Sequence, residues 1–173
     1  MADSMQFQDV SANVRGIALA AIVEAQRQGV VVVEAEHLLL ALAADRHTAA
    51  GRFLVDHRLS HAELLDALRV ERERSLIAVG VQPRDLDGLA ATRIQRPRWG
   101  ASTRNTFERA SKIASRFSRG RHRMTAFDLL YGLFRLELGT VPRALAFAGI
   151  DRAALLADVI DTAGMGDMAL VVD

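Results

Sequence analysis

The feature that most restricts this chain is that its apolar pattern occurs twice. Shifting the sequence by 91 residues lays 35–68 on 126–159, and nine of the 34 aligned positions are identical. The pairs are Ala35/Ala126, Leu38/Leu129, Leu39/Leu130, Leu42/Leu133, Arg52/Arg143, Leu54/Leu145, Ala62/Ala153, Leu64/Leu155 and Leu65/Leu156. Most are apolar and fall at helical spacing, so what the two copies share is a buried face. A unit of roughly 60 residues is marginal alone, and packing two together gives one larger domain.

Each copy reads as four helices. Val14, Ile17, Ala18, Ala21, Ile22 and Ala25 recur every three or four residues and predict a first helix over roughly 11–28, with Ser11 at the N-cap and Gly29 at the stop. Val30–Val33 is β-branched but short and has no evident partner, so it reads as an extended connector. Leu38, Leu39 and Leu42 mark the second helix, and Thr48 caps a short third one holding Ala50, Phe53 and Leu54. Ser60 and Glu63 form a capping box for the fourth, with Leu59 and Leu64 as its hydrophobic staple, and that helix runs to about Leu76. After a stretch with Pro83, Gly88, Pro97 and Trp99, where one helical turn is expected near Leu86–Ala91, the pattern restarts. Phe107, Ala110, Ala114 and Phe117 give the fifth helix, Thr125 and Asp128 open the sixth, Pro142 sits in the first turn of the seventh, and Asp151 caps the eighth. The expected organisation is a first repeat over 8–76, a linker over 77–101, a second repeat over 102–163 and a flexible tail over 164–173.

Composition removes several classes of function. There is no cysteine, which excludes disulfides, thiolate metal sites and thiol catalysis. Of 22 basic residues only Lys112 is a lysine, and it follows Ser111, so no Walker A phosphate loop can form. No Gly-x-Ser-x-Gly, His-Glu-x-x-His or Gly-x-Gly-x-x-Gly pattern is present, and Lys112 lies on an arginine-rich helix face, so no enzyme activity is expected. His57 and His61 have i, i+4 spacing, but the helix boundary at Ser60 separates them and no third ligand accompanies them, so no metal is expected. No apolar run approaches the roughly 18 residues of a membrane helix, and the start lacks a signal-like stretch, so a cytoplasmic protein is expected.

The string Glu36-His37-Leu38-Leu39-Leu40-Ala41-Leu42, with its correctly spaced duplication, resembles the amino-terminal domain of Clp-type unfoldases, the double Clp repeat, most like the ClpC branch. Ala21, Ala25, Gly29 and Val33 keep the family's spacing ahead of it, and the family's Gly-Ile before each last helix appears as Gly149-Ile150 and, altered, as Arg58-Leu59. The resemblance covers roughly residues 7–163. It implies an all-α, pseudo-twofold fold of two tandem four-helix repeats, eight helices in one domain, that binds proteins. No ATPase module accompanies the repeats in this sequence, so the resemblance is to a stand-alone module of the Clp proteolysis system: an adaptor, a decoy or a ligand-sequestering protein. The implied partners are unfoldase clients, adaptors or peptide-like ligands, with no cofactor and a monomeric or weakly dimeric state.

The resemblance also implies sites. Some relatives bind phosphorylated arginine with a hydroxyl at the start of the first helix and the Glu of Thr-Glu-His, which correspond here to Ser11 and Glu36. Helix-start amides would hold the phosphate and the carboxylate the guanidinium. In the second repeat Ser102 or Thr103 could supply the hydroxyl, but Phe127 stands in place of the acid and Asp128 in place of the His. Phe7 corresponds to an aromatic at a hydrophobic ligand surface. The ordinary roles remain open beside these: Ser11 as an N-cap, Glu36 as a partner of its own helix dipole, worth about 0.3–1 kcal/mol, and His37 as a hydrogen-bonded core residue.

Charge is uneven. Residues 1–91 hold 9 basic and 13 acidic side chains, whereas Thr92–Arg123 holds 10 basic ones against Glu108 alone. Arg116, Arg119 and Arg121 are candidate contacts for an anionic partner, whether an acidic protein surface or, as the weaker alternative, nucleic acid.

Overall fold

The computed structural model describes residues 12–82, 97–117 and 123–165. Among them the chain forms α1 (Ala12–Arg27), β1 (Val32–Val33), α2 (Ala35–Ala44), α3 (Ala49–Asp56), α4 (His61–Ala78), β2 (Arg98–Trp99), α5 (Ala101–Phe117), α6 (Ala126–Phe134), α7 (Thr140–Phe147) and α8 (Arg152–Thr162). The architecture is all-α, with four helices in each copy.

The helix starts follow local chemistry. Thr48 accepts from the Gly51 amide, Ser60 and Glu63 cap α4 reciprocally, Thr125 and Asp128 do the same for α6, and Asp151 accepts from Ala153 and Ala154. Gly29 ends α1 at φ 66°. Ser11 and the turn expected near Leu86–Ala91 lie outside the described residues.

α2 and α6 are the central helices. Ala35 and His37–Ala43 are buried on α2, and every residue of α6 except Phe127 is buried. A helix apolar on all sides must be covered on all sides. Within the copies α1 packs on α2, α5 on α6, α2 on α4 and α6 on α8. Across the seam α4 packs on α7, and α2 meets α5, α6 and α7. Of the nine shared pairs, the six formed by Ala35, Leu38, Leu39, Leu42, Leu54 and Leu64 are buried in both copies. The duplication is therefore one of core positions, and it places like faces together.

One expectation is corrected. Val30–Val33 is more than a connector, because Val32 and Val33 pair in parallel with Arg98 and Trp99. Arg98 N–H donates to Val31 O, and Gly100 N–H to Val33 O, both at 2.9 Å. A two-residue ladder carries no alternating pattern, and its partner arrives from the far side of the intervening segment.

Arg58 and Gly149 occupy equivalent places 91 residues apart, and both are left-handed, at φ 58° and 72°. Only the second copy has the residue suited to that conformation. Arg58→Gly is expected to raise stability by about 0.5–1 kcal/mol in urea denaturation, the αL strain of a side-chain-bearing residue exceeding the glycine's added chain entropy. A loss of stability would mean that the arginine side chain makes a compensating contact.

Candidate functional site

The polar groups of the interior gather where α2 begins. Glu34 leaves β1 and forms the N-cap of α2, and its carboxylate reaches across the seam to the first turn of α5. There it accepts the Ser102 amide at 3.1 Å and the Ser102 hydroxyl, while Ser102 Oγ accepts the Ala35 amide at 2.8 Å. Gly100 makes the approach possible, since a Cβ there would overlap the Glu34 carboxylate. A negative charge at this helix start is favourable. Thr103 Oγ1 donates to Val33 O at 2.7 Å. Both hydroxyls considered for a second ligand pocket are thus engaged in joining the two copies.

Glu36 lies in the first turn of α2, half-buried. Its charged surroundings are Glu34, Glu71 on α4 and Arg143 on α7. Burial pushes its carboxyl up to about 7; its own backbone amide opposes this, the Glu34 and Glu71 charges add to it and Arg143 counteracts it. A displacement of that size corresponds to about 3 kcal/mol against the ionised form. The dipole attraction expected for a first-turn carboxylate is about 0.3–1 kcal/mol, so desolvation wins.

Beside it, Glu71 Oε1 lies 2.7 Å from both Nε and Nη2 of Arg143 and accepts the Ser75 hydroxyl at 2.8 Å. The Glu71 side chain is 5% exposed and that of Arg143 52%, so this ion pair sits at the rim of the seam with the guanidinium reaching solvent.

His37 is a core residue with half its hydrogen-bonding capacity used. Nδ1 accepts the Glu34 amide at 2.9 Å, which places the proton on Nε2, and that atom is buried without a partner. Burial lowers its pKa. Among the described residues no group of three or more His, Asp or Glu side chains is arranged to hold a metal ion.

Arg116 is exposed in the last turn of α5. Phe7, Ser11, Arg119 and Arg121 lie outside the described residues. Glu34, Glu71 and Arg143 were not singled out from the sequence. One signal was available: Arg143 and Arg52 form the only charged pair among the nine shared positions.

These features define a class: a double four-helix repeat whose seam carries a half-buried, raised-pKa carboxylate beside a half-exposed arginine. No protein-family model and no curated protein matches the chain. Solved structures do. The N-terminal domain of the caseinolytic protease associated chaperone ClpD from Arabidopsis thaliana is 18% identical, with a TM-score of 0.64 over 91% of this chain and 99% of that one. The Hsp104 N-terminal domain from Candida albicans is 15% identical, with a TM-score of 0.61 over 90% and 92%. A chain from a malarial protein secretion system is 15% identical, with a TM-score of 0.60 over 92% and 97%. The fold is that of the Clp-type N-terminal domain.

Proposed function

We propose that the chain is a non-enzymatic protein-binding module of the Clp proteolysis system, acting as an adaptor, a decoy or a ligand-sequestering protein. Two structures sharing its fold are N-terminal domains of a Clp protease associated chaperone and of Hsp104. The observation that carries the reading to particular residues is Glu36. A partly buried carboxylate whose ionised form is desolvated destabilises a fold, and groups perturbed in this way cluster at functional sites. An arriving guanidinium offers Glu36 a bidentate, charge-assisted pair. The expected ligands are polypeptides presenting arginine or phosphorylated arginine, with Ser11 supplying a hydroxyl and Phe7 an apolar contact.

The test is calorimetric titration with an unfolded model protein, unmodified and arginine-phosphorylated. Binding is expected, and Glu36→Ala is expected to weaken it at least tenfold, about 1.4 kcal/mol, with helical circular dichroism unchanged. Unchanged affinity removes Glu36 from the site; no binding of either form removes the module reading.

A second reading, an arginine-rich nucleic-acid-binding protein, has one observation behind it. Arg98, Arg104, Arg116 and Arg123 are all exposed. It requires binding to an oligonucleotide that persists at physiological salt and weakens on charge reversal of Arg116.

A further inference from the structure

A second polar link crosses the seam, away from Glu36. His57 is the C-cap of α3, in the first repeat, and Asp158 lies on α8, in the second. His57 Nδ1 is 2.7 Å from Phe53 O, and Nε2 is 3.1 Å from Asp158 Oδ2. A carbonyl oxygen only accepts, and so does an ionised carboxylate. Neutral imidazole has one N–H and can satisfy only one of these contacts; the imidazolium satisfies both. The ring is held in place by Phe53, with centroids 4.1 Å apart and planes 31° from parallel. Phe53 in turn meets Phe127 of α6 edge-on at 5.7 Å. The charged group facing the ring from α8 is Asp158; α6 presents the uncharged Phe127, and Asp56 and Arg58 flank His57 in the chain. The side chains of His57 and Asp158 are 30% and 58% exposed, so solvent protons reach both.

We propose that His57 is a proton-operated clasp between the two repeats: as imidazolium it ties the end of α3 to α8, and on losing a proton it keeps only one of its two contacts. The seam then loosens on the α3–α8 side, while the Glu71–Arg143 pair holds the α4–α7 side. The setting of one repeat against the other then depends on whether the ring carries its second proton. The proposal is independent of any ligand at Glu36.

Nitrogen-15 NMR of the intact chain tests it. The His57 ring signals are assigned by their absence in His57→Gln. At pH 5.5 both ring nitrogens are expected to be protonated, and as the pH is raised to 8 the α8 amides around Asp158 should shift in step with loss of the ring proton. In Asp158→Asn and in His57→Gln those α8 shifts should disappear while the spectrum remains that of a folded protein. A ring still carrying a single proton at pH 5.5 overturns the proposal. So do α8 shifts that persist unchanged in His57→Gln.

Discussion

Gly132→Val is expected to lower the unfolding free energy by about 3 kcal/mol or more, the largest loss anticipated from one added side chain. Gly132 lies in α6 where that helix meets α5. A Cβ at this position would overlap the Thr106 carbonyl oxygen and press on the Thr106 carbonyl carbon at 3.2 Å and the Ala110 amide nitrogen at 3.3 Å. All three atoms are backbone, so no rotamer change relieves the contact. Either α5 moves as a body or α6 rotates, and both disturb the buried Leu129, Leu133 and Phe134. For a chain of this length the loss corresponds to a fall in melting temperature of about 6–12 °C. The same position in the first repeat is Ala41, also buried, so that copy carries a Cβ where the second carries none.

Gly16 supplies the control. It too lies inside a helix, α1, but a Cβ there meets nothing within 4 Å. Gly16→Ala is therefore expected to stabilise by about 0.5–1 kcal/mol through chain entropy alone. Thermal and urea unfolding of both variants separate close helix approach from helix propensity. Equal effects of one sign would show that α5 and α6 can separate enough to admit a side chain at Gly132.

What could be read from the sequence was what is local or periodic. The caps at Thr48, Ser60 and Asp151 rest on hydrogen bonds two or three residues away, so residue type and spacing suffice. The paired leucines announce a buried face, and finding the pattern twice announces two such faces that cover each other. What escaped was what depends on residues far apart in the chain. Glu34 meets Ser102 68 residues away, and Glu71 meets Arg143 72 residues away. Each lies on a helix whose own pattern explains it fully as a surface or cap residue. The β1–β2 pair escaped for the same reason, being too short to show a period. At Glu36 the sequence located a residue of interest but misjudged the force acting on it. Position in the first turn suggests attraction to the dipole, whereas burial is a property of α4 and α7 closing over it.

Glu36→Gln is expected to make the protein more stable at alkaline pH. The folded-state carboxyl sits at about 7, against 4.5 for an unperturbed glutamate. Between those values the folded protein holds a proton that the unfolded chain has released, so stability declines as pH rises through this window. Above pH 7 the decline is complete and amounts to about 3 kcal/mol. Glutamine carries no charge to desolvate and forfeits only the dipole term, so the net gain at pH 8.5 is about 1–3 kcal/mol, shrinking towards zero at pH 4. His37 acts in the opposite sense. Its folded-state pKa is lowered by burial, so its contribution is present above 6.5 and is lost as pH falls below that value. Because His37 is present in both proteins, it cancels from the difference between them. Urea unfolding of both at pH 5 and 8.5 measures that difference. A variant no more stable at pH 8.5 than at pH 5, relative to the parent, would mean that Glu36 ionises without penalty. The same glutamine cannot pair with a guanidinium as a carboxylate does, so the variant that gains stability should also lose affinity for an arginine-bearing polypeptide. Opposite movement of stability and binding under one substitution is the mark of a residue kept for its ligand; a gain in stability with binding intact leaves Glu36 as a burial defect and shifts the search for the binding surface elsewhere on the domain.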